Sequence, residues 1–130
     1  MTIRLSILAV LLFTVLAGTT SAHHNMSAVF DFNDRVTLAG TLTKLDWRNP
    51  HIEIVVSSKR DGGQVEEWRG EGPAPIWFRS RETGKAEFEK ALGKAVTFEV
   101  SRARDGSRFG LLRNITLPGA KVLALCPENC

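Results

Sequence analysis

The sequence predicts a mainly β fold, a small five-stranded Greek-key barrel with one helical segment between its third and fourth strands. Three observations carry this. Apolar and polar residues alternate over several short segments, the period of a half-buried strand. Two turns, Asp61-Gly62-Gly63 and Asp105-Gly106, supply residues tolerant of positive φ where a hairpin needs them. Between those turns, Ile76 to Leu92 carries apolar residues at helical spacing.

The elements follow in order. Val36, Leu38, Gly40 and Leu42 alternate with Thr37, Ala39, Thr41 and Thr43, and Leu45 and Trp47 continue in the opposite phase. That slip predicts a β-bulge near Thr43-Lys44 in a long first strand, with Gly40 easing its bend. Asn49-Pro50 interrupts the ladder, because proline donates no N–H and pushes the residue before it into extended backbone. In the second strand Ile52, Ile54 and Val56 face one way and His51, Glu53 and Val55 the other. The third, about Val65 to Gly70, is weaker, since Val65 and Trp68 fall out of phase. The helical stretch is expected in two pieces broken around Thr83-Gly84, with Phe88, Ala91 and Leu92 on one face and Gly93 as its stop. Val96, Phe98 and Val100 mark the fourth strand, and Leu111, Ile115 and Leu117 the inward side of the last. Three strands, a helix and two strands is the order of the OB type. An open antiparallel sheet packed on one helix is the alternative. The predicted core is Ile52, Ile54, Val56, Val96, Phe98, Val100, Ile115 and Leu117.

The first 22 residues have another character. Arg4 precedes an almost wholly apolar run from Leu5 to Leu16, and Thr20-Ser21-Ala22 supplies small residues for cleavage between Ala22 and His23. This is the pattern of a secretory leader, and the run is shorter than the roughly 20 residues that a spanning helix needs. The expected organisation is a signal peptide at 1–22, a barrel domain at 23–125 and a short tail at 126–130. The mature chain is expected to be periplasmic or secreted and to have no membrane span. Loss of Arg4 lowers the formal net charge from +3 to +2. So small an excess is not built to neutralise many phosphates, so nucleic acid is excluded as a partner.

All three histidines stand at chemically suggestive places. Cleavage after Ala22 makes His23 the N-terminus, followed by His24 and Met26. A terminal histidine offers its α-amine and ring to one metal ion, a chelate closed to an internal histidine. Imidazole suits copper, zinc and nickel, and a thioether favours Cu(I), so copper is the candidate cofactor. His51 follows Asn49-Pro50 and shares its strand face with Glu53, which makes it a candidate third ligand beside His23 and His24. Trp47 and Asn49, in the same turn, are candidate ligand-binding residues. The plain alternative is a polar, frayed terminus and a surface histidine.

Ala22-His23-His24, Phe30-Asp31, Gly40-Thr41-Leu42, Trp47-Arg48-Asn49-Pro50-His51 and Arg104-Asp105-Gly106-Ser107 together resemble an exported bacterial family, domain-of-unknown-function family 6152. The resemblance implies a small periplasmic or secreted β-rich domain and brings no established activity. The chain departs from the family pattern in placing Asn25 and Met26 before Ser27, in carrying Trp77-Phe78 for a Gly-Trp pair, and in ending on a cysteine pair.

Cys126 and Cys130, alone at the C-terminus, are most simply a disulfide in an oxidising compartment. A thiolate metal pair is the alternative. Arg102, Arg104, Arg108 and Arg113 cluster around the last hairpin and read as a solvated edge that discourages sheet-to-sheet association. Trp68 and Trp77 read as core. No nucleophile elbow, phosphate loop or dinucleotide fingerprint is present, so the chain reads as a non-enzyme. The leading expectation is an exported binding module with its ligand at the N-terminal histidines. The alternatives are an envelope structural or protein-interaction domain, whose partner is an envelope protein, and a copper-dependent redox enzyme.

Overall fold

The computed structural model describes residues 25–119 and 122–126. The leader, the Ala22-His23 cleavage site, His24 and Cys130 lie outside the described residues. In chain order the elements are α1 (Met26–Val29), β1 (Phe30–Asp46), β2 (Glu53–Lys59), β3 (Val65–Glu71), a 3-10 turn (Pro75–Phe78), α2 (Lys85–Ala91), β4 (Ala95–Ala103), β5 (Phe109–Thr116) and β6 (Val122–Ala124). The fold is mainly β.

β1 organises the sheet because both its edges are used. Gly40 to Asp46 pair with β2, while Phe30 to Thr41 pair with β4. The bulge falls where the alternation slips: Leu42 faces Val56 and Lys44 faces Val55, which leaves Thr43 as the extra residue. Its hydroxyl donates to the Val55 carbonyl at 3.1 Å. At Gly40 a Cβ would come within 2.3 Å of the Ser57 carbonyl oxygen, so this close approach admits only glycine.

The strands run in the order β3-β2-β1-β4-β5-β6, and a parallel pairing of β3 with β5 joins the first five into a ring. That closure sets Gly70 opposite Gly110. A Cβ on Gly70 would meet Leu112 at 2.9 Å, and one on Gly110 would meet Val100 at 2.6 Å. β3 covers β5 only over Phe109 to Leu111, and the short β6 occupies the later positions, Asn114 to Thr116. This is the OB strand order with one strand added to the expected five.

All eight predicted core residues are buried in one cluster, joined by Leu42, Trp68, Phe78, Phe88, Ala91, Leu112 and Leu125. Isolated helices as short as the seven-residue α2 are unstable, so burial of Phe88 and Ala91 against the ring holds it. Glu87 accepts from the Gly84 N–H at 2.9 Å, and Gly93 (φ 75°) ends the segment and donates to the Leu42 carbonyl. The phase conflict in β3 resolves in favour of tryptophan: Val65 turns outward, while Glu66, Trp68 and Gly70 face in.

A second cluster contains Phe30, Ala103, Leu111 and Cys126, with Met26, Val29, Phe32 and Phe109 packed against it. It ties the start of the described chain to its end. Here one expectation fails. Arg113, read as part of a solvated edge, is 1% exposed. The β4–β5 register shifts between Glu99↔Asn114 and Val100↔Leu112, so Arg113 is the surplus residue of a bulge. The bulge lets Leu112 and Ile115 serve the main core while Leu111 serves the second cluster.

Candidate functional site

The predicted Trp47, Asn49 and His51 group is only partly assembled. Trp47 lies against Phe78 and Phe88, with ring centroids 4.6 and 5.5 Å away, so its indole packs on the aromatic layer over α2. Asn49 is exposed. His51 precedes the ladder, and its Nδ1 lies 2.5 Å from Glu71 Oε1, at the end of β3. The expected neighbour Glu53 pairs instead with Arg69 at 3.4 Å, because β2 begins at Glu53 and sets its side chain beside that of β3.

Among the described residues no three His, Cys, Asp or Glu side chains lie close enough to hold a metal ion. His23 and His24 fall outside the description. The described residues that precede β1 are anchored. The Arg104 N–H donates to the Val29 carbonyl and its Nε to the Ser27 carbonyl, both at 2.9 Å. Met26, partly buried, packs against the second cluster.

Arg113 has an unusual environment for a buried cation. Its Nε donates to Ser101 Oγ at 2.8 Å, its Nη1 approaches the Cys126 carbonyl and Sγ at 3.1 Å each, and its guanidinium lies 4.9 Å from the Phe32 ring centroid. Nη2 has no hydrogen-bond partner. Burial first, and Arg35 second, push its pKa down, against a smaller opposing pull from Glu99. The backbone N–H groups of Leu125 and Cys126 both donate to the Arg113 carbonyl, so the chain is tied in as far as Cys126.

The remaining arginines of the predicted cluster face a cleft of about 480 Å³ between the β2–β3 hairpin, the β4–β5 loop and the start of β1. That size falls within the range of small-molecule sites. Two walls differ in construction. On one, Arg102 donates to Asp34 at 2.9 Å and Arg104 to Asp31 at 3.3 Å, all four side chains being 36–50% exposed. On the other, Glu66, 9% exposed, holds two cations: Arg108 Nη2 at 2.7 Å and Arg60 Nε at 3.3 Å. The hydrogen bond from Arg108, with the charges of Arg108 and Arg60, holds the Glu66 carboxyl below the usual carboxylate range despite an opposing desolvation. Trp68 and Ser107 complete the lining. Asp105 is hydrogen-bonded first by the Ser107 side chain and second by the Ser107 N–H at 2.9 Å, which together lower its pKa and brace the loop.

Glu66 is the residue that sequence reasoning passed over. Its signal was available: it sits two positions before Trp68, so an inward tryptophan carries an inward acid with it.

Fold and cleft define a class, a small OB-type β ring with a polar, arginine-lined cleft. The profile of domain-of-unknown-function family 6152, a family of unknown function, matches residues 11–114, and the chain belongs to this family. Cys126 and Cys130 lie beyond the matched residues. No curated protein and no solved structure matches the chain. No helix of the described residues is long and apolar enough to cross a membrane.

Proposed function

We propose that the chain is an exported binding module, cut after Ala22, acting in the periplasm or outside the cell, and without catalysis of its own. The leader pattern of residues 1–22 supports export. The observation that carries binding is the cleft, where one carboxylate at 9% exposure holds Arg60 and Arg108 in place beside a tryptophan. Preoriented guanidinium groups around a concave polar surface are what recognition of a small polar solute requires.

Amide NMR of the processed chain against glucose, glucuronate, citrate and inorganic phosphate tests the proposal. At least one solute should shift signals concentrated in residues 60–68 and 102–108. Shifts absent or spread evenly over the ring for every solute overturn it. Cell fractionation with sequencing of the mature N-terminus tests export; a cytoplasmic chain still starting at Met1 overturns that part.

A second reading, copper held by the mature terminus, is favoured by one contact. His51 Nδ1 lies 2.5 Å from Glu71 Oε1, the kind of carboxylate partner that orients metal-ligating histidines and leaves Nε2 for the ion. The α-amine and ring of His23 would supply the chelate, with His24 or His51 completing it. Calorimetry with Cu(II) should give strong binding to the processed chain, weaker at acid pH, and far weaker binding when one residue precedes His23. Equal affinity of the two forms overturns the chelate. Cys126 and Cys130 are proposed to be joined by a disulfide; thiol labelling of both without prior reduction overturns that pairing.

A further inference from the structure

We infer that the cleft is selective for a hydroxylated organic monoanion, a sugar acid, with Arg60 and Arg108 as the receptor for its carboxylate and Glu66 as their positioning residue. This rests on the binding-module reading and names the ligand class of the same cleft.

Charge and donor count select the ligand class. On the hairpin wall two guanidinium groups share one carboxylate, which leaves one positive charge uncompensated. Each guanidinium carries five N–H donors in a fixed fork, and the contacts to Glu66 engage Nη2 of Arg108 and Nε of Arg60. The donors beyond those contacts suit a second oxyanion, the planar geometry favouring a carboxylate. On the facing wall Arg102–Asp34 and Arg104–Asp31 are neutral as pairs. Their carboxylate oxygens accept hydrogen bonds from hydroxyl groups and repel a second negative charge. A ligand that satisfies both walls therefore has one acidic head and a hydroxylated body. The volume of about 480 Å³ accommodates a sugar ring or two.

Glu66 acts through the arginines. It is 9% exposed and reaches Arg108 across 42 residues of sequence, so it fixes the relation between the β2–β3 hairpin and the β4–β5 loop. Two opposite effects follow from Glu66→Gln. Mere attraction of an anion to a basic cleft would increase, since a negative charge is lost. Positioning would be lost, and binding with it.

The test is titration of the processed full chain with glucuronate, glucose 6-phosphate and glucose, followed by the amide signals of residues 60–68 and 102–108. Glucuronate should bind at least tenfold more tightly than glucose, with glucose 6-phosphate between them because its second charge meets Asp31 and Asp34. Glucose binding as well as glucuronate overturns the inference and leaves the binding reading standing. No response to any of these three, nor to citrate or phosphate, overturns both. Glu66→Gln should weaken glucuronate binding about tenfold; tighter binding overturns the positioning role. Arg108→Lys keeps the charge and loses the fork, at a side chain 54% exposed, so it reports even should the Gln variant fail to fold. It should also weaken glucuronate binding about tenfold, and unchanged affinity overturns the receptor assignment.

Discussion

Arg108 and Arg113 stand five residues apart around the last hairpin, yet their surroundings have opposite chemistry. Arg108 is half-exposed and bonded to a carboxylate that is itself buried. Arg113 is buried and bonded to a hydroxyl, a carbonyl and a sulfur, with one nitrogen left over. The first arrangement keeps its charge at the rim of a cleft, in contact with solvent. The second removes its charge from water and uses the side chain as a strut between β4, β5 and the segment ending at Cys126. The same residue type therefore lines a polar cleft in one place and braces the architecture in the other, and the difference lies in burial and in partners.

The largest effect belongs to the core that both regions rest on. Phe98, fully buried, should cost about 3–5 kcal/mol on replacement by alanine, read by urea unfolding. A loss below about 1 kcal/mol would mean that the ring does not depend on this core. Arg113→Met should cost about 1–3 kcal/mol, because Ser101 Oγ and the Cys126 carbonyl lose a buried donor. Arg108→Met should cost less. Equal losses would erase the distinction drawn between the two arginines.

The cysteines sharpen the comparison on the Arg113 side. Replacing both by serine should leave the ring folded and lower stability by about 2 kcal/mol at most, from loss of the short loop that the proposed disulfide would close. Cys126→Ser should account for more of the loss than Cys130→Ser, since Cys126 is 5% exposed in the second cluster. Thermal unfolding of the three variants decides this.

Acidification probes the Arg108 side. Glu66 has a folded pKa below its ordinary value of 4.5, so in that range the unfolded chain binds more protons. Its contribution is full above pH 4.5 and declines as pH falls through the lower folded value. Acid titration of stability should therefore show a loss that Glu66→Gln removes. An unchanged titration in that variant would take Glu66 out of the account. The smallest effect is expected at the rim, where Asp34→Asn, which breaks an exposed pair with Arg102, should cost under about 1 kcal/mol by the same unfolding assay.

Much of the fold was legible because it is local. The slip between Leu42 and Leu45 marks the bulge at Thr43, and the Asp-Gly turns place Gly62, Gly63 and Gly106 at positive φ. The break at Thr83-Gly84 separates the 3-10 turn from α2. The candidate site was less legible. His51 was expected to share its strand face with Glu53, but the acidic side chain beside it is Glu71, at the end of β3. Alternation identifies the face a residue shares along its own strand and is silent about which strand lies beside it. Trp47, a candidate for ligand contact, stacks on aromatic side chains that come from the 3-10 turn and α2.

By itself the sequence determined the number and spacing of the main strands, the place of the helix and the eight residues of the central core. Each of these follows from side-chain periodicity and turn chemistry within about ten residues. Only the tertiary structure decided that β3 meets β5 in parallel, that Arg113 turns inward and that Glu66 reaches Arg108. The reason is physical: ring closure brings together segments some 40 residues apart, and the burial of a charge depends on what closes over it. Neither is encoded in the local period of the chain.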